Sequence, residues 1–325
     1  MPMTYRELLR LANAFSESQT LLAANDLDVF TAIGSTGRTA DAVARRCKAD
    51  PEGMFLLLNA LVGLELLTLR KGRYYNTPLG RRHLDRRSPE AISNLLWLLG
   101  HHWQDWTDIP KAIRHGRPGW APLTKTPEFR RRFSLAMHER SFMLAEPTVA
   151  TLRLPPRARR FLDLGGGPGS YAIALAKRDP LVHGVVLDQT VTAARQLIRN
   201  HGLQDRLIAR QGSIFTADLG SGYDAVLVSN VLHGFNEKEN RALLKRVRHA
   251  LRPGGKVFIV EFFLDDSLTR PAKASLFSVM MYKFTATGRC YSWQETEGWL
   301  KKLGFGRFAR RRVTPDIGTL DATRP

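Results

Sequence analysis

The chain has 325 residues, 43% of them apolar, and a formal net charge of +19. This length suggests about two domains, and the apolar content excludes a disordered chain. No run of about 18 apolar residues occurs, which excludes a membrane-spanning helix, and Met1-Pro2-Met3-Thr4-Tyr5-Arg6-Glu7 lacks the apolar core of a signal peptide. Cys47 and Cys290 stand far apart and make neither a metal motif nor a disulfide framework, so a cytoplasmic location is expected. The positive charge is spread, with clusters at Arg130-Arg131-Arg132, Arg157/Arg159/Arg160 and Arg310-Arg311-Arg312. It reads as a solvated basic surface, with attraction of acidic ligands or nucleic acid as the sharper alternative.

In chain order, residues 15–80 predict helices followed by a hairpin. Leu21, Leu22, Leu27, Val29, Phe30 and Ile33 cluster around a helix end. Thr39 is placed to cap a short helix over 40–46. Asp50-Pro51-Glu52 combines a capping acid, a proline in the first turn and a further acid, a strong helix start. Leu66–Leu69 and Arg73–Tyr75 flank Lys71-Gly72 as a hairpin would, and Thr77-Pro78 opens another helix. Three helices with a two-stranded wing describe a winged helix.

Residues 90–150 are helical in pattern and contain Trp97, Trp103, Trp106 and Trp120, with a loop at Gly116-Arg117-Pro118-Gly119. One long helix is predicted from about Thr126 to Leu152, and Leu154-Pro155-Pro156 ends it. The division expected is 1–100, a helical connector over 101–154, and a catalytic domain over 155–325.

From residue 160 short apolar strands alternate with helices, the pattern of an open α/β sheet. Strands are predicted at 161–164, 184–187, 207–211, 225–229, 257–261, 308–313 and 318–322. Asn236-x-x-Glu239 marks a helix start, and Arg252-Pro253-Gly254-Gly255 its stop. The first of these strands runs into Asp163-Leu164-Gly165-Gly166-Gly167-Pro168-Gly169-Ser170, with a helix from about Tyr171. Glycine permits close backbone approach to a ligand. Asp163 beside that loop suits an ammonium group and would repel a pyrophosphate, which weighs against a nicotinamide dinucleotide. Asp188 ends the second strand, where an acid can accept from both hydroxyls of a ribose. Gly212-Ser213-Ile214-Phe215 follows the third strand.

These elements together resemble the class I S-adenosylmethionine-dependent methyltransferases. More closely, residues from about 15 to 325 resemble the small-molecule O-methyltransferases with an N-terminal winged-helix dimerisation domain, on the wing and on Ser229-Asn230-Val231-Leu232-His233-Gly234-Phe235. The resemblance implies a Rossmann-like seven-stranded sheet, a mostly helical N-terminal domain, and a homodimer formed through that domain. It further implies S-adenosyl-L-methionine as cofactor and a small aromatic or polyketide-like acceptor from secondary metabolism. Gly165 and Gly167 would then pack against the methionine part of the cofactor, with Asp163 near its ammonium and Asp188 on its ribose. Ser213, Ile214 and Phe215 would flank the adenine, at a place where many relatives carry an Asp instead of Ser213. Ser229 would lie near the cofactor at the end of the fourth strand.

His233 follows the fourth strand at the carboxyl edge, where open sheets bind ligands. Imidazole, with a reference pKa of about 6.5, can take the proton of an attacking hydroxyl, and the position matches the catalytic histidine of the resembled family. Glu261 ends an apolar strand at the same edge, costly without a partner, and the resemblance makes it the group that orients His233. Plant members carry a second Glu where this chain has Cys290, which is expected to pack in the pocket. That departure keeps carbon or nitrogen methylation open, and also a recruited fold doing non-methyl chemistry. Met281 and Thr285 match acceptor-lining positions of the family, with Phe133, Met137 and Trp103 as further candidates. A DNA-binding regulator built on the winged helix is the rival class; the apolar face of that domain reads instead as a dimer surface.

Overall fold

The computed structural model describes residues 3–117 and 126–325. Trp120 and the Pro118-Gly119 part of the predicted loop lie outside the described residues. The chain divides into two compact units, Met1–Thr107 and Asp108–Pro325.

The first unit contains α1 (Tyr5–Asp26), α2 (Val29–Ile33), α3 (Ala40–Cys47), α4 (Pro51–Gly63), β1 (Leu67–Arg70), β2 (Arg73–Asn76), α5 (Pro78–His83) and α6 (Ser93–Trp106). The predicted start signals operate as read. Thr39 accepts from Ala42 N, Asp50 accepts from Gly53 N, and Thr77 accepts from Gly80 N. Strands β1 and β2 pair antiparallel around Lys71-Gly72. Phe30, Ile33, Val43, Met54, Leu58, Leu61, Leu67 and Tyr74 fill the core between helices and wing. Much of α1 stands outside that core, with Tyr5, Leu8, Leu9, Leu11 and Phe15 exposed.

The second unit opens with α7 (Ile109–His115), α8 (Pro127–Arg140) and α9 (Ala145–Thr151). The single helix expected over 126–152 is therefore two helices, separated by a turn at 141–144. Pro147 is the physical reason. In an unbroken helix its ring would meet the carbonyl of Met143, whereas in the first turn of α9 its missing N–H costs nothing.

There follow β3 (Arg160–Leu164), α10 (Ser170–Arg178), β4 (His183–Asp188), α11 (Thr192–Asn200), β5 (Leu207–Gln211), β6 (Tyr223–Ser229), α12 (Glu237–Ala250), β7 (Leu251–Glu261), α13 (Ala272–Phe284), α14 (Trp293–Lys302), β8 (Gly306–Arg312) and β9 (Gly318–Thr323). They form a seven-stranded sheet of order β5-β4-β3-β6-β7-β9-β8. Strands β5 to β7 are parallel, while β9 is antiparallel to both β7 and β8. Strand β7 starts six residues before the predicted one, since Leu251 already pairs with Tyr223 and a bulge follows. Gly255 permits this, because a Cβ there would stand 3.0 Å from the Tyr223 carbonyl oxygen.

Alternation of side chains along the strands separates two cores. Leu162, Leu164, Val226, Val228 and Ile259 face α12 and α14, packing on Leu243, Leu244, Val247, Trp299 and Leu300. Phe161, Leu227 and Phe258 face the other way, onto α9, α10 and α11. Asp163 shares the register of Phe161, on the α10 side. The chain runs outward from β3 to β5 and returns beside β3 as β6. The carboxyl ends of β3 and β6 therefore flank the crevice where such sheets take ligands.

Candidate active site

The glycine loop sits at that crevice. Gly165, Gly167 and Gly169 all have positive φ, at 71°, 52° and 76°, a region open to glycine and strained for other residues. The space a Cβ would need at Gly165 is taken by Val231, at 2.8 Å, and at Gly166 by the Asp163 carboxylate, at 2.5 Å. At Gly167 nothing lies within 4 Å. The loop thus presents an open backbone at Gly167 and a closed one at Gly165.

Asp163 has no solvent exposure, and neither of its oxygens has a hydrogen-bond partner. Burial, reinforced by the charge of Asp188, pushes its carboxyl up to about 7, with the Ala172 amide acting weakly against them. Asp188 is better served. It accepts from Gly167 N at 3.0 Å and from Thr190 N at 2.9 Å, although burial still holds its carboxyl above the ordinary value. Each of its oxygens keeps a lone pair for another donor.

The predicted adenine-side residues follow β5. The Ser213 hydroxyl accepts from Phe215 N at 3.2 Å, Ile214 is buried, and the Phe215 ring stands edge-on to Phe235, 4.8 Å between centroids. Arg246 fixes this turn by donating to the carbonyls of Ile214 and Ala217. Ser229, at the end of β6, is buried with an unpartnered hydroxyl.

Beyond Ser229 the chain passes through Asn230, in the left-handed region at φ 56°, into a short 3-10 turn over Leu232–Gly234. This turn carries His233. Its Nδ1 lies 2.7 Å from Glu261 Oε2, and Glu261 Oε1 accepts from Leu232 N at 2.9 Å. One carboxylate from the end of β7 therefore holds both the ring and the backbone of the turn. Since Nδ1 donates to Glu261, the lone pair of the neutral ring sits on Nε2. The Phe277 ring of α13 meets the imidazole edge-on at 4.9 Å, and Phe262 backs Phe277 at 4.6 Å.

Cys290 is buried in the same neighbourhood, in a cluster with Val260, Phe262, Ala274 and Ile317 and with Phe277 against it. Burial, and next the charge of Glu261, push its thiol far up, so it packs as an apolar group and is no nucleophile. Met281 is buried on α13. Thr285 spends its hydroxyl on local structure, donating to the Met281 carbonyl at 2.7 Å and accepting from Gly288 N at 2.8 Å. Met137, on α8, is half-buried. The next residue, His138, was missed by sequence reasoning. Its Nδ1 is 2.8 Å from the Ser170 hydroxyl at the head of α10, and burial depresses its pKa to about 4. Arg140 was missed too. Its buried Nε has no acceptor, and burial holds its guanidinium below the ordinary value.

A Rossmann-like methyltransferase sheet with this loop and this His–Glu pair defines the class. Comparison with known proteins agrees. The model of the O-methyltransferase domain matches residues 102–306, and that of the O-methyltransferase dimerisation domain matches residues 9–86. The chain is 31% identical over 309 residues to the 3-hydroxy-5-methyl-1-naphthoate 3-O-methyltransferase of Streptomyces sahachiroi, covering 91% of this chain and 88% of that protein. It is 32% identical over 345 residues to acetylserotonin O-methyltransferase of Mus musculus molossinus, covering 98% and 88%. The crystal structure of human N-acetylserotonin methyltransferase in complex with SAM superposes with a TM-score of 0.90 at 26% identity, over 100% of this chain and 98% of that one. The chain belongs to the S-adenosylmethionine-dependent O-methyltransferase family with an N-terminal dimerisation domain. Among the described residues no helix is long and apolar enough to cross a membrane, and no group of three or more His, Cys, Asp or Glu could hold a metal ion.

Proposed function

We propose that the protein methylates a hydroxyl of a small aromatic or polyketide-like acceptor, with His233 as general base. The observation that carries this reading is the 2.7 Å contact between His233 Nδ1 and Glu261, which leaves Nε2 free to take a proton. S-adenosylmethionine, when bound, supplies the electrophilic methyl group. His233 Nε2 would take the proton of the acceptor hydroxyl, and Glu261 would stabilise the imidazolium that results; the methyl would pass from the sulfonium sulfur to the acceptor oxygen, with S-adenosylhomocysteine as the leaving thioether. Glu261 is buried and Phe277 packs edge-on against His233, so the pair acts in a largely apolar surround.

The residues around the loop fit the cofactor. The unpartnered Asp163 carboxylate answers an ammonium group, and the spare lone pairs of Asp188 answer a ribose diol. Gly165 and Gly167 would pack against the methionine part, with open space at Gly167. Ser213, Ile214 and Phe215 would flank the adenine, and the orphan hydroxyl of Ser229 at the end of β6 would lie near the cofactor. Arg140, whose buried Nε has no acceptor, is the counter-charge we assign to the cofactor carboxylate. Met137 and Met281 give polarizable walls suited to a flat apolar acceptor. Thr285 contributes through the fold of its turn. The chain acts as a homodimer joined through residues 1–100, in the cytoplasm, with 101–154 serving the acceptor side of the 155–325 catalytic domain.

A panel of phenolic and polyketide acceptors, scored by mass for one added methyl, identifies the substrate class. On the best acceptor, His233→Ala should lower kcat by roughly 10²–10⁴-fold with cofactor affinity intact. Near-normal turnover would remove the base assignment.

A further inference from the structure

We infer that Arg117 is a positioning residue for His233, acting through the backbone of residues 285–288. The inference rests on the reading of His233 as base and goes beyond it. Arg117 is half-buried. Its guanidinium donates to the Thr285 carbonyl at 3.0 Å and the Gly288 carbonyl at 2.9 Å, with a longer contact of 3.5 Å to Tyr282. It also lies over the Tyr282 ring, 4.5 Å from the centroid. One side chain thus closes the C-terminal end of α13 and holds the turn that follows.

That turn is pressed directly on the catalytic one. A Cβ at Gly288 would stand 2.1 Å from the His233 carbonyl oxygen and 2.6 Å from the Gly234 carbonyl carbon, so the two backbones are in van der Waals contact. Flanking bonds fix the register between them. The Thr287 hydroxyl accepts from Asn236 N at 3.2 Å and donates to Glu239 at 2.6 Å, and Tyr291 donates to the Phe235 carbonyl at 2.6 Å. Glu261 fixes the His233 turn from one side, and the 285–291 segment fixes it from the other. Arg117 is the group that pins this second side at Gly288. Its planar fork serves several carbonyls at once, a geometry lysine lacks.

A displacement of about 1 Å at a reacting group can cost 10²-fold in rate. Arg117→Ala should therefore lower kcat roughly 10- to 100-fold, with acceptor KM within about threefold and S-adenosylhomocysteine affinity unchanged by calorimetry. Guanidinium ion added at low millimolar concentration should restore part of the lost kcat, and Arg117→Lys should restore less than half of it. In the His233→Ala background, Arg117→Ala should cost no more than twofold, since it acts through the residue already removed. Wild-type kcat in Arg117→Ala overturns the inference, as does a loss carried wholly by acceptor KM or cofactor affinity. Equal losses with and without His233 overturn it as well. Should Arg117→Ala not fold, Arg117→Gln, which keeps the side-chain stem but not the fork that serves several carbonyls, must show the kcat loss. If His233→Ala itself turns over normally, the base assignment fails whatever Arg117 does.

Discussion

A carboxyl group with no exposure and no hydrogen-bond partner is a poor place for a negative charge. Asp163 is such a group, and its value near 7 makes the ligand-free protein sensitive to pH. Its folded value lies above that of an exposed Asp, about 3.9. The stability it permits is fully present below pH 4 and lost as pH rises through 7, on the order of 4 kcal/mol for the full shift. Asp163→Asn should match the wild-type melting temperature near pH 4 and exceed it increasingly toward pH 8, without cofactor. A difference constant with pH would contradict the buried charge. The same variant should lose at least tenfold in cofactor affinity, because the amide no longer answers an ammonium. The sequence brought Asp163, Asp188 and Glu261 to notice as acids in or at the end of short apolar strands, and His233 as an imidazole just past another. His138, Arg140 and Arg117 were not legible. Each owes its importance to a partner or an absence of partners 30 or more residues away, which no local pattern encodes.

At the scale of elements, capping residues and strand alternation carried most of the information. Asn236 and Glu239 form the reciprocal cap expected of them, at 2.9 Å in both directions. This cap sits at the base of the His233 turn, so Asn236→Ala should cost about 1 kcal/mol, read as a shifted midpoint in urea unfolding. An unchanged midpoint would mean that tertiary packing alone holds the start of α12. Sequence periodicity failed between 126 and 152, where apolar spacing continues across a break set by Pro147. It also placed the start of β7 too late, because Arg252-Pro253-Gly254-Gly255 signals a helix stop and is also compatible with a bulged strand pairing.

At the scale of the molecule, the first unit leaves a row of large apolar side chains on α1 uncovered, among them Tyr5 at 75% exposure, Leu8 at 52% and Phe15 at 55%. Phe55 and Leu56 of α4 are also exposed. Such a surface on a domain of dimerisation type calls for a second copy. Removing residues 1–100 should abolish the dimer in light scattering behind size exclusion. A soluble and fully active monomer would refute the reading. Binding to duplex DNA with a steep salt dependence would assign the winged helix and the charge of +19 to nucleic acid instead.

Helix α10 buries seven of its nine residues, whereas α13 buries two of thirteen. The loop assigned to the cofactor is thus joined to an element with almost no wet face, and the wall assigned to the acceptor is not. Amide exchange should be slowest behind the glycine loop and faster along α13. Variation then has an uneven cost. If α13 lines the acceptor as proposed, substitutions there should change acceptor preference at little loss of stability, whereas changes under the glycine loop should destabilise the fold. A fold divided in this way can acquire new acceptors without renegotiating its cofactor.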